Sequence, residues 1–266
     1  GGPTPPARPP PRPPPPGTPP PRPAGGARPP RAPAARAQDW PTGPMRIIVP
    51  FTPGGSNDVL ARLIAERLGA RWGKPFVAEN RPGAAGNIGA EAASRTAPDG
   101  HTMVLAPNQI FCTNPHLVRS SFDAMRDLAI AARVARVQTL LVCHPALPAR
   151  DVKEAVALAK ARPGALSYPS SGVGSFQHLG VARLVGEDMV HVTYGGAGAL
   201  MPDLLAGRVH LFCGALNSLL PHVRAGAIKA LGITTAKPSQ AAPEFTPVAQ
   251  TLPGFDVSSW FALFAP

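Results

Sequence analysis

Cysteine, acidic residues and long apolar runs are all scarce in this 266-residue chain, and each shortage argues against a class of function. The three cysteines, Cys112, Cys143 and Cys213, form no C-x-x-C and are matched by no pair of histidines at ligand spacing. A disulfide framework or a zinc site is therefore not expected, and buried or free thiols are. No run reaches the length of a membrane span, and residues 1–34 lack the apolar middle of a secretory signal. Acids number 15 against 26 Lys and Arg, a formal charge of +11 that suggests nucleic acid until it is mapped. Six arginines and no acids precede Gln38, which leaves +5 for the remainder. That remainder has no interleaving of basic and aromatic residues, so no nucleic-acid partner is expected.

Catalytic and nucleotide signatures are missing as well. There is no G-x-x-x-x-G-K-[ST] loop, and "GAAGNIG" lacks the spacing of a dinucleotide fingerprint. No G-x-S-x-G elbow, H-E-x-x-H pair or matched carboxylates occur, and the seven histidines are scattered. No cofactor or metal is expected.

What is present divides at about residue 38. The tract "PPRPPPPGTPPPRP" cannot pack a core and is expected to be an extended arm over residues 1–38. It ends in Ala35-Arg36-Ala37, which has the form a signal peptidase cuts, so an altered signal region is expected there. From Met45, short β-branched runs alternate with helical stretches, the mark of βαβ units and an α/β fold rich in parallel strands. "MRIIVPF" reads as a buried strand broken at Pro53-Gly54-Gly55. Asn57 and Asp58 follow as acceptors for a helix over 59–71, with Leu60, Leu63, Ile64 and Leu68 on one face. "KPFVAEN", "HTMVLA" and "TLLVCHP" read as further strands, and "DVKEAVALAKARPG" as a helix.

The second half repeats this grammar in "ALSYPSSGVGSFQHLGVARL", "DMVHVTYGGAGALMPDLLAGR", "VHLFCGALNSLLPHVRAG" and "AIKALGITTA". Strand-to-helix turns stripped of side chains therefore recur at Gly54-Gly55, 172–175 and 195–198. In an open parallel sheet such turns lie at the carboxyl ends of the strands, where helix N-termini offer unpaired N–H groups to an anion. Gly54 and Gly55 would let a ligand approach the main chain, while Ser170, Ser171 and Ser175 add neutral donors. Asp58, itself an anion, is read as tying down the loop and helix start rather than touching a carboxylate.

Five segments together resemble one family. "WPTGPMRIIVPFTPGGSNDVLARLIAERL", "ENRPGAAGNIGAEAASRTAPDGHTMVLA", "SYPSSGVGSFQHL", "DMVHVTYGGAGALMPDLLAGRV" and "SSWFALFAP" look like the Bug family, the TctC-like extracytoplasmic solute receptors of tripartite tricarboxylate transporters. The resemblance covers nearly all of 40–266. It implies a two-domain periplasmic-binding-protein fold of type II, closing on a small carboxylate, in the periplasm and as a monomer. The integral membrane subunits of the transporter are its implied partners. The first domain would be 39–142 plus 256–266 and the second 143–255, with "TLLVCHP" and "FDVSSWFALFAP" as crossing strands. Ligand contacts implied by the family fall on Phe51, Thr52, Gly54, Gly55, Ser56 and Asp58 of the first domain. On the second they fall on Ser170, Ser171, Gly172, Gly174, Ser175, His178 and Tyr194, with the 172–175 loop facing Gly54-Gly55.

The chain departs from that pattern in five respects. It stops at "SSWFALFAP" where relatives continue through helices covering the first domain, which is expected to leave apolar surface open. The stretch from Leu179 to Asp188 is short, Gly195 stands where Lys is common, and the Pro/Arg arm replaces an ordinary signal. Gly214 replaces an Asp expected near the cleft. Two alternatives stay open: a hydrolase-like enzyme using Ser175 with His178, and a non-functional truncated paralogue.

Overall fold

β1 (Met45–Val49) is apolar except at the exposed Arg46, because most of both its faces is covered. Met45, Ile47 and Val49 point to Ala61 and Ala65 of α1 (Ser56–Trp72), while Ile48 points to Ala90 and Ala93 of α2 (Asn87–Ser94). The computed structural model describes Gly2 and residues 40–266, and residues 41–266 form one compact unit. The Pro/Arg arm and the Ala35-Arg36-Ala37 site lie outside the described residues.

The first half is a five-stranded sheet. β1 is flanked in parallel by β2 (Phe76–Asn80) and β3 (Thr102–Pro107), after which come the single turns α3 (Gln109–Cys112), α4 (Asn114–Leu117) and α5 (Ala124–Asp127). β4 (Ala129–Val137) closes the far edge. The second half holds β5 (Thr139–Cys143), α6 (Val152–Ala161), β6 (Ser167–Ser170), α7 (Phe176–Val185), β7 (Val190–Thr193) and α8 (Ala197–Leu205). β8 (Leu211–Ala215), α9 (Leu216–Arg224) and β9 (Lys229–Ile233) follow, and β10 (Ser259–Ala265) returns to the first sheet. The sheet orders are β2-β1-β3-β10-β4, β8-β5-β9 and β6-β7.

The strands that enter each half from the other are the antiparallel ones. β10 runs against both β3 and β4, and β5 runs against both β8 and β9. The α/β architecture matches expectation, but the sheets are mixed for this reason. The crossing also falls earlier than the expected boundary at 142/143. Thr139–Cys143 already pairs with β8 and β9, so the chain leaves the first sheet at Gln138. The core of the second half is likewise built on alternation. Leu141 and Cys143 of β5 face the cluster with Val181 and Leu184, while Leu140 and Val142 face Leu200, Leu204 and Leu219. All three cysteines are free, and burial pushes the thiols of Cys143 and Cys213 up to about 11 and about 12.

Two local expectations are corrected. α1 begins at Ser56 on an N-cap Gly55 that makes no side-chain cap, so Asn57 does not cap it. Its buried face is Asn57, Asp58, Ala61 and Ala65, because small residues let it lie close to the sheet. Of the expected face, Leu60 and Ile64 do pack, half-buried, against the core of that sheet, while Leu63 is exposed and lines, with Val59, Leu60, Ala135, Val137 and Phe261, a groove of about 790 Å³.

The two crossings are clasped by threonines. The Thr234 hydroxyl donates to Thr139 O at 3.0 Å and lies 2.9 Å from Val257 O; the Thr139 hydroxyl also reaches Val257 O at 2.9 Å. Both threonines are fully buried. Thr234→Val should therefore lower unfolding stability by about 0.5–1.5 kcal/mol, the worth of the hydroxyl's own bonds, because Thr139 O keeps the Thr234 N–H and Val257 O keeps the Thr139 hydroxyl. Urea titration checks this; a midpoint equal to that of the parent chain would remove the clasp from the account.

Candidate functional site

Every strand-to-helix turn named from the sequence lies at the carboxyl end of its strand, and these ends meet between the two halves. They enclose a cavity of about 40 Å³. Phe51, Gly55, Ser56 and Asn57 come from the turn after β1, and Pro107 and Gln109 from the end of β3. Ser171, Phe176 and Gln177 follow β6, Ala197 follows β7, Ala215 ends β8 and Ser218 follows it. The N-termini of α1, α7, α8 and α9 thus converge, and those of α1, α8 and α9 carry no side-chain cap. No lining residue is charged. The field in the cavity is set by helix ends and neutral donors, an arrangement that favours an anion without a fixed ion pair.

The halves touch largely through backbone, with a few short side chains. Thr52 N–H donates to Gly195 O at 3.1 Å, and Ser56 Oγ donates to Asn217 Oδ1 at 3.0 Å. Gly54 and Gly55 lie against the start of α8: a Cβ on Gly198 would stand 1.8 Å from Pro53 O, and one on Gly55 would stand 3.5 Å from the Ala197 Cβ. Gly54 also has φ +84°, which suits glycine. The loop facing Gly54-Gly55 is therefore 195–198, not 172–175 as expected. Gly172 instead abuts Ala85, where a Cβ would come within 2.7 Å, and Gly174 O accepts from the Thr113 hydroxyl at 2.9 Å. Ala84 and Ala85 hold φ of 45° and 54°, a strained conformation for a residue with a Cβ. Gln109 and Asn114 pin it by donating to Ala85 O at 2.8 and 3.1 Å.

Of the residues singled out from the sequence, Phe51, Gly55, Ser56 and Ser171 line the cavity, and Thr52 and Gly54 sit at its closing edge. Asp58 lies behind it. Its carboxylate accepts from Gly54 N–H at 3.0 Å, Arg62 Nε at 3.0 Å and Asn80 Nδ2 at 2.9 Å. Burial opposes its ionisation, but these bonds outweigh that and hold its carboxyl below the ordinary value. Asn80 also donates to Phe51 O at 3.0 Å, so one network fixes the whole loop.

Ser170, Ser175, His178 and Tyr194 are not on the cavity wall. Ser170 Oγ pairs with His191 Nε2 at 2.6 Å, and Ser175 Oγ accepts from His178 N–H at 3.2 Å as the cap of α7. The His178 ring accepts from Gly174 N–H at 3.3 Å, so the Ser175–His178 pair is committed to loop and helix start. Tyr194 donates to Asp203 at 2.7 Å, bracing α8. Gly214 faces inward too, since a Cβ there would meet Phe212 and Leu219 of the core rather than the cavity. The sequence reading missed Asn57 as a wall residue, and also Gln109, Gln177 and Ser218. Gln177 was the findable one. It immediately precedes His178, and its Oε1 accepts both the N–H and the hydroxyl of Ser171.

Comparison with known proteins decides the family. The profile described as "Tripartite tricarboxylate transporter family receptor" matches residues 60–266. The chain belongs to this family of receptors. Protein BugT of Bordetella pertussis is 34% identical over 236 residues, covering 86% of this chain and 72% of its own. Among solved structures, a protein titled "R. palustris Rpa4515 with adipate" is 36% identical with a TM-score of 0.82, covering 86% of this chain and 78% of its own. The periplasmic binding protein BugD is 27% identical with a TM-score of 0.81, covering 85% and 77%. The receptor therefore has the two-domain α/β fold of periplasmic binding proteins, as the sequence led one to expect.

Behind the 170–175 loop the rings of His178 and His191 lie 4.2 Å apart, and His191 stacks on Tyr168 at 5.0 Å. Burial, and then the neighbouring His178, push His191 down to about 4; burial also lowers His178. Both rings stay neutral in the folded chain under conditions where an unfolded histidine, at 6.5, takes up a proton. Stability should thus be full above about pH 6.5 and fall as the pH drops toward 4. Urea midpoints from pH 7.5 to 4.5 should show this slope, and His191→Gln should flatten it. A variant as pH-sensitive as its parent would clear the pair of that role.

Proposed function

We propose that this chain is a periplasmic solute receptor that closes on a small organic carboxylate and delivers it, as a monomer, to the membrane subunits of a tripartite tricarboxylate transporter. The observation that carries this reading is the convergence of four helix N-termini on one uncharged interlobe cavity. Such a site holds an anion by dipoles and neutral donors and can release it again, which suits capture and delivery. Two relatives support the solute class. The structure 36% identical to this chain is titled with adipate, and a second, "MatC (Rpa3494) from Rhodopseudomonas palustris with bound malate", is 28% identical with a TM-score of 0.80. Both solutes are dicarboxylates.

A cavity of about 40 Å³ has room for only a few water-sized groups, so a dicarboxylate enters when the halves part. The hinge for that motion is the pair of crossings near residues 137–139 and 256–259. The clamp consists of the β1–α1 loop against α8, and of the 172–175 loop against Ala85 and Thr113. Binding without covalent chemistry is the reading the side chains favour, since the serines nearest a histidine are occupied as caps and loop ties.

Thermal melts and calorimetry with adipate, malate, succinate and citrate test the proposal. At least one should raise the melting temperature and titrate with one site per chain; a folded sample that responds to none would overturn it. Gly198→Ala separates closure from folding. Alanine suits the second position of α8 better than glycine does, so the second half should still fold, and any fall in melting temperature should be limited to the lost contact with Pro53. Its Cβ cannot coexist with Pro53 O in the closed form, so affinity should fall by about tenfold or more. Undiminished affinity would show that closure does not use this contact.

A further inference from the structure

We propose that Asn57 is a specificity-determining residue, selecting carboxylates that carry a hydroxyl near the captured carboxylate over plain alkyl and amino-acid analogues. The inference rests on the receptor reading above and deepens it. Asn57 lines the cavity, is only 5% exposed, and sits in the first turn of α1. Its Nδ2 donates to Leu105 O of β3 at 3.0 Å. That bond fixes which way round the amide lies, because a carbonyl accepts only from the nitrogen. What remains is Oδ1, an acceptor, and it is buried without a partner. A buried acceptor left unsatisfied is unfavourable, so a guest that brings a donor gains over one that does not.

The surroundings determine what kind of donor it is. Four helix N-termini make the cavity positive, and no carboxylate lines it, so an ammonium would meet repulsion with nothing to neutralise it. The nearby acid, Asp58, is already held by Arg62, Gly54 and Asn80. A neutral hydroxyl satisfies Oδ1 at no such cost. The Thr52 hydroxyl, also without a partner, can donate or accept and so does not discriminate. An alkyl acid would seat its carboxylate at the helix ends and leave Asn57 Oδ1 facing methylene groups.

Calorimetry with malate, succinate and aspartate, which share a four-carbon dicarboxylate skeleton, reads the selection directly. Malate should bind about tenfold or more tightly than succinate, and aspartate more weakly than malate. In Asn57→Leu, which keeps the branch point and the number of heavy atoms but is bulkier and removes the acceptor, the malate-to-succinate ratio should fall to about one, whatever happens to absolute affinity. Should that variant fail to fold, the ratios in the parent chain decide. Succinate equal to malate in the parent chain, or an undiminished ratio in a folded variant, overturns the role of Asn57 while leaving the receptor reading intact. Aspartate tighter than malate overturns the neutral-donor assignment. Binding of none of the three, with other carboxylates bound, overturns this inference alone; binding of no carboxylate overturns both.

Discussion

The approach of Gly54-Gly55 to the start of α8 is the contact on which the rest of the site depends. Two main chains meet there with almost nothing between them: the position a Cβ of Gly198 would take is 1.8 Å from Pro53 O. Backbone contact of this kind brings helix N-termini from opposite halves to bear on the same small volume. Longer side chains would hold them apart, and the dipole effect fades within a turn of the helix end. The glycines are thus needed for electrostatics as much as for turns. Their cost in chain entropy is met by the Asp58–Arg62–Asn80 network, which fixes the loop from behind.

That network also explains how a carboxylate can sit beside a cavity whose field favours anions without spoiling it. Asp58 is 4% exposed and receives donors from Gly54, Arg62 and Asn80. Its charge is therefore directed at the Arg62 guanidinium, the Gly54 N–H and the Asn80 amide rather than at the cavity. The second half uses a neutral version of the same device. Ser170 Oγ donates to Gly172 O at 3.1 Å and also pairs with His191, whose neutrality is enforced by burial. Both loops are held by groups that add no net charge facing the guest.

Much of this was legible in the sequence. β1, β3, β5 and β8 are apolar runs, and the turns that follow β1, β6 and β7 are rich in Gly and Ser, so the α/β class and the location of the site at strand ends could be read directly. β4 could not: its residues Ala129–Val137 are largely exposed and rich in Ala and Arg, and it is a strand because β10 pairs with it. Which loops face each other was also hidden. Sheet order decides it, and the order β2-β1-β3-β10-β4 is not sequence order. Side-chain commitments were the third gap. Ser175, His178 and Tyr194 are of the right type and adjacent to the right loops, yet each is occupied by a backbone or side-chain partner that sequence spacing does not reveal.

The topology carries a last consequence for closure. Each half contains one strand that arrives from the other half, β5 in one and β10 in the other, and each is central in its sheet with partners on both sides. A motion of one half relative to the other is thus anchored in sheet cores and cannot be absorbed by fraying at an edge. The change in backbone angle must fall in the few residues between the sheets, near Gln138 and Val257. There Thr139 and Thr234 bind the two crossings to each other through Val257 O. In the proposed closure, two strands tied at one point would act as a single hinge axis, and the strand ends that bear the helix N-termini would move toward each other along one path. The geometry that gathers the dipoles and the geometry that opens the cleft are in this way set by the same two crossings.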